Sequence, residues 1–190
     1  MSNNLLKGKR GIIFGALNDM SIAWKVAERA QEEGATFTLT NAPIAMRMGA
    51  INDLAEKTNS KVIPADATSV EDLKHLFEKS QEILGGKVDF VLHSIGMSPN
   101  VRKKKQYTGL NYEWYKQTLD VSAMSLHKTL QVAYDMDALN NWGSVLALTY
   151  IAAQRIFPDY NDMADAKSLL ESITRSFGYH YGTAKKVRVN

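Results

Sequence analysis

A tyrosine and a lysine, Tyr160 and Lys167, stand seven residues apart, and a second tyrosine, Tyr150, precedes Tyr160 by ten residues. Seven residues make about two turns of an α-helix, so Tyr160 and Lys167 are expected to share one helix face. The tyrosine could give a hydrogen bond or a proton to a developing oxyanion, while the lysine could hold sugar hydroxyls and favour the phenolate. Both residue types are common, so two amphipathic side chains on a helix flank stay open as an alternative.

A glycine-containing turn, Gly15–Ala23, follows a short apolar run and opens an amphipathic helix. Helix N-termini carry free N–H groups that bind phosphate. Gly15 permits the tight turn, Ala16 permits close backbone approach, and Ser21 can cap the helix and present its hydroxyl to phosphate. Two glycines of the usual dinucleotide pattern are missing and Asp19 adds a carboxylate. An ordinary strand-turn-helix connection is therefore the alternative.

Two later segments follow the third and fourth apolar runs, at the edge where a parallel sheet binds its ligands. Asp66 could accept a hydrogen bond from an adenine amino group, or simply start a loop. Gly96, in the run Ser94-Ile95-Gly96, would let the backbone approach a cofactor, or mark a plain strand exit. The second run is followed by no carboxylate that could bind a ribose. Arg47 could meet a 2′-phosphate or lie on the surface, so these residues favour NAD over NADP without excluding NADP.

The scaffold for these residues is an alternation of short apolar runs and longer amphipathic ones. The apolar runs predict strands at Gly11–Phe14, Thr36–Thr40, Lys61–Pro64, Val88–His93, Ser144–Tyr150 and Val187–Val189. The amphipathic runs predict helices at Ser21–Glu33, Ile51–Lys57, Ser69–Leu84, Tyr112–Ala138 and Asn161–Tyr181. Such alternation predicts an α/β fold, a Rossmann-type doubly wound parallel sheet with helices on both faces. Residues 1–190 are expected to form one dinucleotide-binding and catalytic domain.

Composition removes several classes of function. The 190 residues include no cysteine, which excludes disulfides, thiolate catalysis and cysteine zinc sites, and the four histidines lack metal-ligand spacing. A net charge of +3 does not indicate a nucleic-acid binder. No apolar run approaches the ~18 residues of a membrane span, and the N-terminus lacks the apolar core of a signal peptide. A cytoplasmic protein without a metal is expected.

These motifs, in this order, resemble the short-chain dehydrogenase/reductase superfamily, and more closely the enoyl-acyl carrier protein reductases of bacterial fatty acid synthesis. Tyr160 and Lys167 match that branch's wider tyrosine-lysine spacing, with Tyr150 as its additional tyrosine. The acidic residues Asp162 and Asp165 between them depart from the pattern. The resemblance assigns cofactor binding to the first turn, the segment after strand three, the exit of strand four and the lysine: Gly15, Ala16, Ser21, Ile22, Asp66, Ala67, Ser94, Ile95, Gly96 and Lys167.

The resemblance implies reduction of trans-2-enoyl thioesters of acyl carrier protein with NADH, in a homotetramer. Tyr160 would hydrogen-bond the thioester oxygen, Lys167 would fix the nicotinamide ribose, and Tyr150 would line the acyl pocket. The family chain extends beyond Asn190, so a truncated C-terminus is expected. The alternatives are a short-chain reductase acting on a ketone or alcohol, and a non-catalytic dinucleotide-binding fragment. The basic run Arg102–Lys105 could attract the acidic carrier protein or be a solvated loop.

Overall fold

The strands of this chain are short and well separated. The computed structural model describes residues 3–47 and 50–190. Its strands are β1 Arg10–Phe14, β2 Thr36–Thr40, β3 Lys61–Val62, β4 Val88–His93, β5 Leu139–Ala147 and β6 Arg188–Val189. The prediction of β2 and β4 is confirmed to the residue, because both are apolar runs bounded by turn residues.

Helices connect the strands. They are α1 Ile22–Glu32, α2 Pro43–Met46, α3 Ile51–Thr58, α4 Val70–Leu84, α5 Pro99–Arg102, α6 Tyr112–Leu119, α7 Ser125–Asp135 and α8 Asn161–Lys185. A π-helical segment, Asp120–Met124, joins α6 to α7, and single 3₁₀ turns cover Tyr107–Gly109 and Ile151–Ala153. Within the described ranges, no helix combines the length and the apolar character needed to cross a membrane.

All six strands run parallel in one sheet, in the order β3-β2-β1-β4-β5-β6. This order confirms the predicted Rossmann-type doubly wound fold. Phe14 lies opposite Thr40 on one side and His93 on the other, and His93 lies opposite Ala147. The loops after β1, β2, β4 and β5 therefore leave the sheet at one level. The strand order reverses between β1 and β4, and ligands bind outside the strand ends at such a point.

The sheet separates two apolar cores, because successive side chains of a strand point to opposite faces. Ile12 and Phe14 join the core formed with α4, α7 and α8, while Ile13 joins the core formed with α1 and α3. All three are essentially inaccessible to solvent. Burying a side chain of this size contributes about 1.5–3 kcal/mol to stability. This packing holds β1 in place beneath the turn at Gly15.

The fifth strand was wrongly bounded by the sequence pattern. It begins at Leu139 rather than Ser144 and ends at Ala147 rather than Tyr150. The early part was missed because it reads as a turn: Trp142 has φ 65°, and the pairing with β4 shifts register there. The strand ends early because the Leu148 carbonyl accepts a hydrogen bond from Lys167 Nζ at 2.7 Å instead of pairing in the sheet.

The long helix predicted over Tyr112–Ala138 is also interrupted. The π-helical segment Asp120–Met124 divides it, although this stretch contains neither proline nor glycine. The wider turn brings the Ser122 hydroxyl onto the Met97 backbone, where it accepts from the N–H at 2.9 Å and lies 3.1 Å from the carbonyl oxygen. The interruption thus ties the helix to the loop after β4. Such bulges are common at functional sites.

Candidate active site

A cleft of about 50 Å³ opens at the carboxyl edge of the sheet, at the point where the strand order reverses. Its walls come from the ends of β1, β2 and β3, the loop after β4 and the π-helical segment. The lining residues are Phe14, Gly15, Asn41, Ala42, Ala65, Asp66, Ala67, Thr68, Ile95 and Val121. The fold therefore brings Gly15, Asp66, Ala67 and Ile95 together, although they are far apart in sequence.

Gly15 cannot be replaced by a larger residue without moving the backbone. Its φ is +86°, and a Cβ atom there would lie 1.9 Å from the Ser94 carbonyl oxygen. The turn after β1 thus packs directly on the turn after β4. Ala16 is fully buried, and its carbonyl accepts a hydrogen bond from Asn41 Nδ2 at 3.2 Å. The Ala16 side chain therefore packs beneath the turn, and the predicted approach of a cofactor to its backbone stays a prediction.

Ser21 occupies the N-cap position of α1, but its hydroxyl does not cap the helix. It donates to the Asn18 carbonyl at 2.5 Å and accepts from the Leu17 N–H at 3.2 Å. The predicted cap is therefore wrong, because the preceding loop already uses this hydroxyl. The N–H groups of Ile22 and Ala23 find no acceptor within residues 3–47 and 50–190, as expected for the first turn of a helix. They remain available to an anion, and the Ile22 side chain is 62% exposed.

Asp66 starts a turn, which is one of the two roles that its sequence position suggested. Its Oδ1 accepts from the Thr68 N–H at 2.9 Å and the Thr68 hydroxyl at 2.8 Å, which makes the turn before α4. Its own N–H donates to Asp72 Oδ2 at 2.9 Å. Asp66 Oδ2 has no hydrogen-bond partner among the described residues, and Asp66 lines the cleft. One carboxylate oxygen is thus free to accept from a ligand.

Lys167 is the buried cation of the site. It is 6% exposed, and its Nζ donates to the Leu148 carbonyl at 2.7 Å. Burial lowers the pKa of Lys167 from 10.5 to about 8. A Cβ atom added to Gly96 would lie 3.8 Å from Lys167 Nζ, so the ammonium stands directly beside the exit of β4. The fold thereby brings Lys167 and the segment Ser94–Gly96 together.

Tyr160 precedes the first turn of α8 and packs on Tyr150 rather than standing alone on a helix face. The two ring centroids are 4.7 Å apart, and Tyr150 is 41% exposed. Neither hydroxyl has a hydrogen-bond partner in the described part of the chain. Burial, and then the neighbouring Tyr150, raise the pKa of Tyr160. Partial burial therefore favours the neutral phenol, a hydrogen-bond donor, and the stabilisation of a phenolate by Lys167 stays a prediction.

His93, at the end of β4, is a buried residue whose role the sequence did not indicate. Its Nε2 lies 2.9 Å from the Ser125 hydroxyl, which donates to the Val121 carbonyl at 2.7 Å. Burial, and then the positive charge of Lys167, lower the pKa of His93 to about 3. The imidazole is therefore neutral at pH 7. It joins the end of β4 to Ser125 at the start of α7, and through Ser125 to the π-helical segment.

Two other predicted features lie outside the cleft. Arg47, considered for a 2′-phosphate, is the exposed residue at the end of α2 and does not line the cleft. The basic run Arg102–Lys105 is exposed at the end of α5, where Lys104 has φ 51°. Asn161 Nδ2 donates to the Lys105 carbonyl, which fixes the basic run next to Tyr160.

Two carboxylates that the sequence showed only as unexplained acids have defined partners. Asp162 is fully buried and accepts from Ser98, Asn100 and Thr118, while Asp165 accepts from Tyr107 and Tyr115. The partners belong to α5, α6 and the loops beside them. Helical spacing could not reveal them, because they lie some 44 to 64 residues away in sequence.

Comparison with known proteins places these features in a family context. A family model described as enoyl-(acyl carrier protein) reductase matches residues 15–190. Enoyl-(acyl carrier protein) reductase (NADH) FabI of Rickettsia bellii is 33% identical over 193 residues, which cover 100% of this chain and 71% of the relative. Enoyl-(acyl carrier protein) reductase (NADH) 2 of Rhizobium meliloti is 32% identical over 191 residues, covering 99% and 69%.

Solved structures give closer matches. FabI from Alistipes finegoldii is 65% identical, with a TM-score of 0.96 over 98% of this chain and 72% of that chain. A FabI–NADH complex from the same organism is also 65% identical, with a TM-score of 0.97 over 98% and 66% of the two chains. The cleft and the tyrosine-lysine arrangement thus lie on a backbone shared with these proteins.

Proposed function

The chain belongs to the enoyl-(acyl carrier protein) reductase family, and from this premise we propose that Tyr160 and Lys167 carry its reaction. The reaction is the reduction of trans-2-enoyl thioesters of acyl carrier protein with NADH, a step of fatty acid elongation. The observation that carries the assignment of residues is the buried Lys167 ammonium beside the exit of β4, on helix α8, which begins directly after Tyr160. Residues 1–190 act in it as one dinucleotide-binding and catalytic domain.

The residues around the cleft fit a nicotinamide dinucleotide. Gly15 lets the turn after β1 pack against the Ser94 carbonyl, where a Cβ would clash, and the N–H groups of Ile22 and Ala23 are available to the pyrophosphate. The free Oδ2 of Asp66 can accept from the adenine amino group, and Lys167 can donate to the nicotinamide ribose. NADH is the cofactor, in keeping with the absence of a basic residue from the described cleft lining.

The chain's own groups stabilise charge and fix position. NADH, when bound, supplies the hydride that reduces the β-carbon of the enoyl thioester. Negative charge then develops on the thioester oxygen, and the neutral Tyr160 hydroxyl donates a hydrogen bond to it. A proton taken from solvent at the α-carbon completes the reduction. Tyr150, in ring contact with Tyr160, lines the acyl side. Lys167 Nζ donates to the ribose hydroxyls, and its bond to the Leu148 carbonyl holds the ammonium in place.

A substrate panel tests this function. We expect the purified protein to oxidise NADH with a crotonyl thioester and to leave simple ketones and alcohols unchanged. Turnover of a ketone instead of the enoyl thioester would favour another class of short-chain reductase. NADH binding without oxidation would indicate a non-catalytic binding protein.

The exposed run Arg102–Lys105 is the proposed docking surface for the acidic carrier protein, since it lies beside Tyr160 and carries four positive charges. Changing all four residues to glutamine is expected to raise the KM for a carrier-protein thioester roughly tenfold while leaving the KM for a coenzyme A thioester within about twofold. The same comparison at rising salt should abolish the difference. Equal effects on both substrates would remove the docking assignment.

Self-association is proposed through the groove between α7 and α8, which has a volume of about 430 Å³. Aromatic and polar side chains line it: His127, Gln131, Tyr134, Ser172, Ile173, Ser176, Phe177 and His180. The resemblance to short-chain reductases implies that the helix predicted over Tyr112–Ala138 and the helix after Tyr160 pack at a subunit interface, and α7 and α8 belong to these two stretches. Light scattering is expected to give the mass of four chains. We also propose that the protein acts in the cytoplasm. A monomeric mass would refute this assembly.

A further inference from the structure

The buried carboxylate of Asp162, in the first turn of α8, has no part in the chemistry described above. It is fully buried, and three polar side chains converge on it. Its Oδ1 accepts from the Ser98 hydroxyl at 2.7 Å, and its Oδ2 accepts from Asn100 Nδ2 at 2.8 Å. The Thr118 hydroxyl lies 2.8 Å from the same Oδ2. A buried anion is stable only with such donors, so the cluster is a built feature of the fold.

A second carboxylate, Asp165, lies one turn further on the same side of α8. Its Oδ2 accepts from the Tyr107 hydroxyl at 3.1 Å and the Tyr115 hydroxyl at 2.9 Å. The two acids together hold partners from Ser98 to Thr118. This stretch contains the loop after β4, the basic run and α6. A single helix face thus binds the whole segment through its side chains.

The segment is also closed on itself next to Tyr160. Asn100 Nδ2 donates to the Asn111 carbonyl at 3.2 Å, and the Asn111 N–H donates to Asn100 Oδ1 at 3.0 Å. These bonds join the two ends of residues 100–111 into a loop. Asn100 also donates to Asp162, so the closure of the loop and its attachment to α8 share one side chain. Asn161, between Tyr160 and Asp162, binds the Lys105 carbonyl within the same loop.

We propose that Asp162 is a positioning residue that fixes the loop 98–111 against the start of α8 and so sets its spacing from Tyr160. The loop follows Gly96 and carries the basic run, so its position decides where an acyl thioester can enter. Asp165 secures the far part of the same segment. The expected effect on turnover of an enoyl thioester rests on the proposed function, whereas the expected effect on the position of the loop 98–111 does not.

Limited trypsin digestion tests the structural consequence without any substrate, because the loop contains four consecutive trypsin sites, Arg102–Lys105. Asp162→Ala is expected to accelerate cleavage within these four residues about tenfold or more under native conditions, since cleavage follows local opening. Peptide mass identifies the cut. The matched control is Thr38→Val, which removes another buried side-chain hydrogen bond, between Thr38 and Ser80 at 2.7 Å. It is expected to leave this site as protected as in the wild type.

The kinetic consequence is a selective loss of substrate use. Asp162→Ala is expected to lower kcat/KM for an enoyl thioester about tenfold or more, while the Kd for NADH stays within about twofold. Asp162→Asn keeps the volume and one acceptor oxygen, so it should fall between the wild type and Asp162→Ala in both assays. If the protein does not catalyse the proposed reaction, the digestion assay still tests the positioning role, because it uses no substrate.

Two results would overturn the positioning role. One is cleavage at Arg102–Lys105 that is no faster in Asp162→Ala than in the wild type. The other is acceleration that Thr38→Val reproduces at the same site, since this would indicate general destabilisation. If Asp162→Ala does not fold, Ser98→Ala and Thr118→Val each remove one donor and leave the carboxylate in place. Both should then speed cleavage at the basic run, and protection equal to the wild type in both would refute the proposal.

Discussion

Lys167→Met is expected to weaken NADH binding roughly 10- to 100-fold, because a hydrogen bond from a charged donor contributes about 1.5–3 kcal/mol. The substitution keeps the side-chain length and removes the ammonium that would hold the ribose. Fluorescence titration of NADH measures the change. Lys185→Met is the matched control: Lys185 Nζ also donates to a backbone carbonyl, that of Leu139 at 3.0 Å, and burial also lowers its pKa. It should leave the Kd for NADH unchanged, and a loss equal to that of Lys167→Met would refute the specific role.

The pH dependence of the same lysine provides a second measurement. Burial lowers the pKa of Lys167 to about 8, so the free protein loses the ammonium as pH rises through that value. NADH binding is expected to weaken above about pH 8, and Lys167→Met should abolish this dependence. The sign for stability is opposite. Between about pH 8 and 10.5 the unfolded lysine holds a proton that the folded one lacks, so the Lys167 contribution to folding stability rises with pH.

Tyr160→Phe is expected to lower kcat about 100- to 1,000-fold, which is the usual effect of removing one donor to a developing oxyanion. The ring and its contact with Tyr150 remain, so the Kd for NADH should stay within about twofold. Stopped-flow oxidation of NADH with a crotonyl thioester measures the hydride step. Because partial burial and Tyr150 raise the pKa of Tyr160, the hydroxyl stays a donor well above neutral pH.

Tyr150→Phe separates the two tyrosines. Tyr150 lies on the more exposed side of the pair, and we expect its hydroxyl to matter less than about tenfold in kcat. An effect of Tyr150→Phe as large as that of Tyr160→Phe would transfer the oxyanion role to Tyr150. Equal and small effects of both substitutions would remove the proposed hydrogen bond from the mechanism.

Runs of apolar residues bounded by turn residues predicted the strands whose ends are set by neighbouring residues in the sequence. The strand Thr36–Thr40 was correct because its apolar run ends at Asn41 and Pro43. The start of β5 was missed because Asn141-Trp142-Gly143 has the composition of a turn, and only its neighbour β4 makes it a strand. The interruption of the helix at Asp120–Met124 could not be predicted, because this segment contains no proline or glycine. This segment places the Ser122 hydroxyl on the Met97 backbone, which lies 25 residues away in sequence.

In the candidate site, too, the sequence predicted some features and not others. The positions of Gly15 and Asp66 after strands, and of Lys167 on a helix, could be predicted, whereas Tyr160 lies just before that helix and not on its face. The use made of each side chain could not. The Ser21 hydroxyl was expected to cap α1 but donates to the Asn18 carbonyl, and the donors to Asp162 come from residues distant in sequence, such as Ser98.

The contact between the Gly15 turn and the Ser94 carbonyl joins two loops into a single rigid floor. Because the loops already touch before any ligand is present, little backbone freedom remains for NADH to remove on binding. Most of the interaction energy between NADH and these two loops thus contributes to affinity, because little of it offsets a loss of backbone entropy. The Gly15 amide proton, which is donated to the Thr40 carbonyl at 3.0 Å, should consequently exchange slowly with deuterium in the free protein.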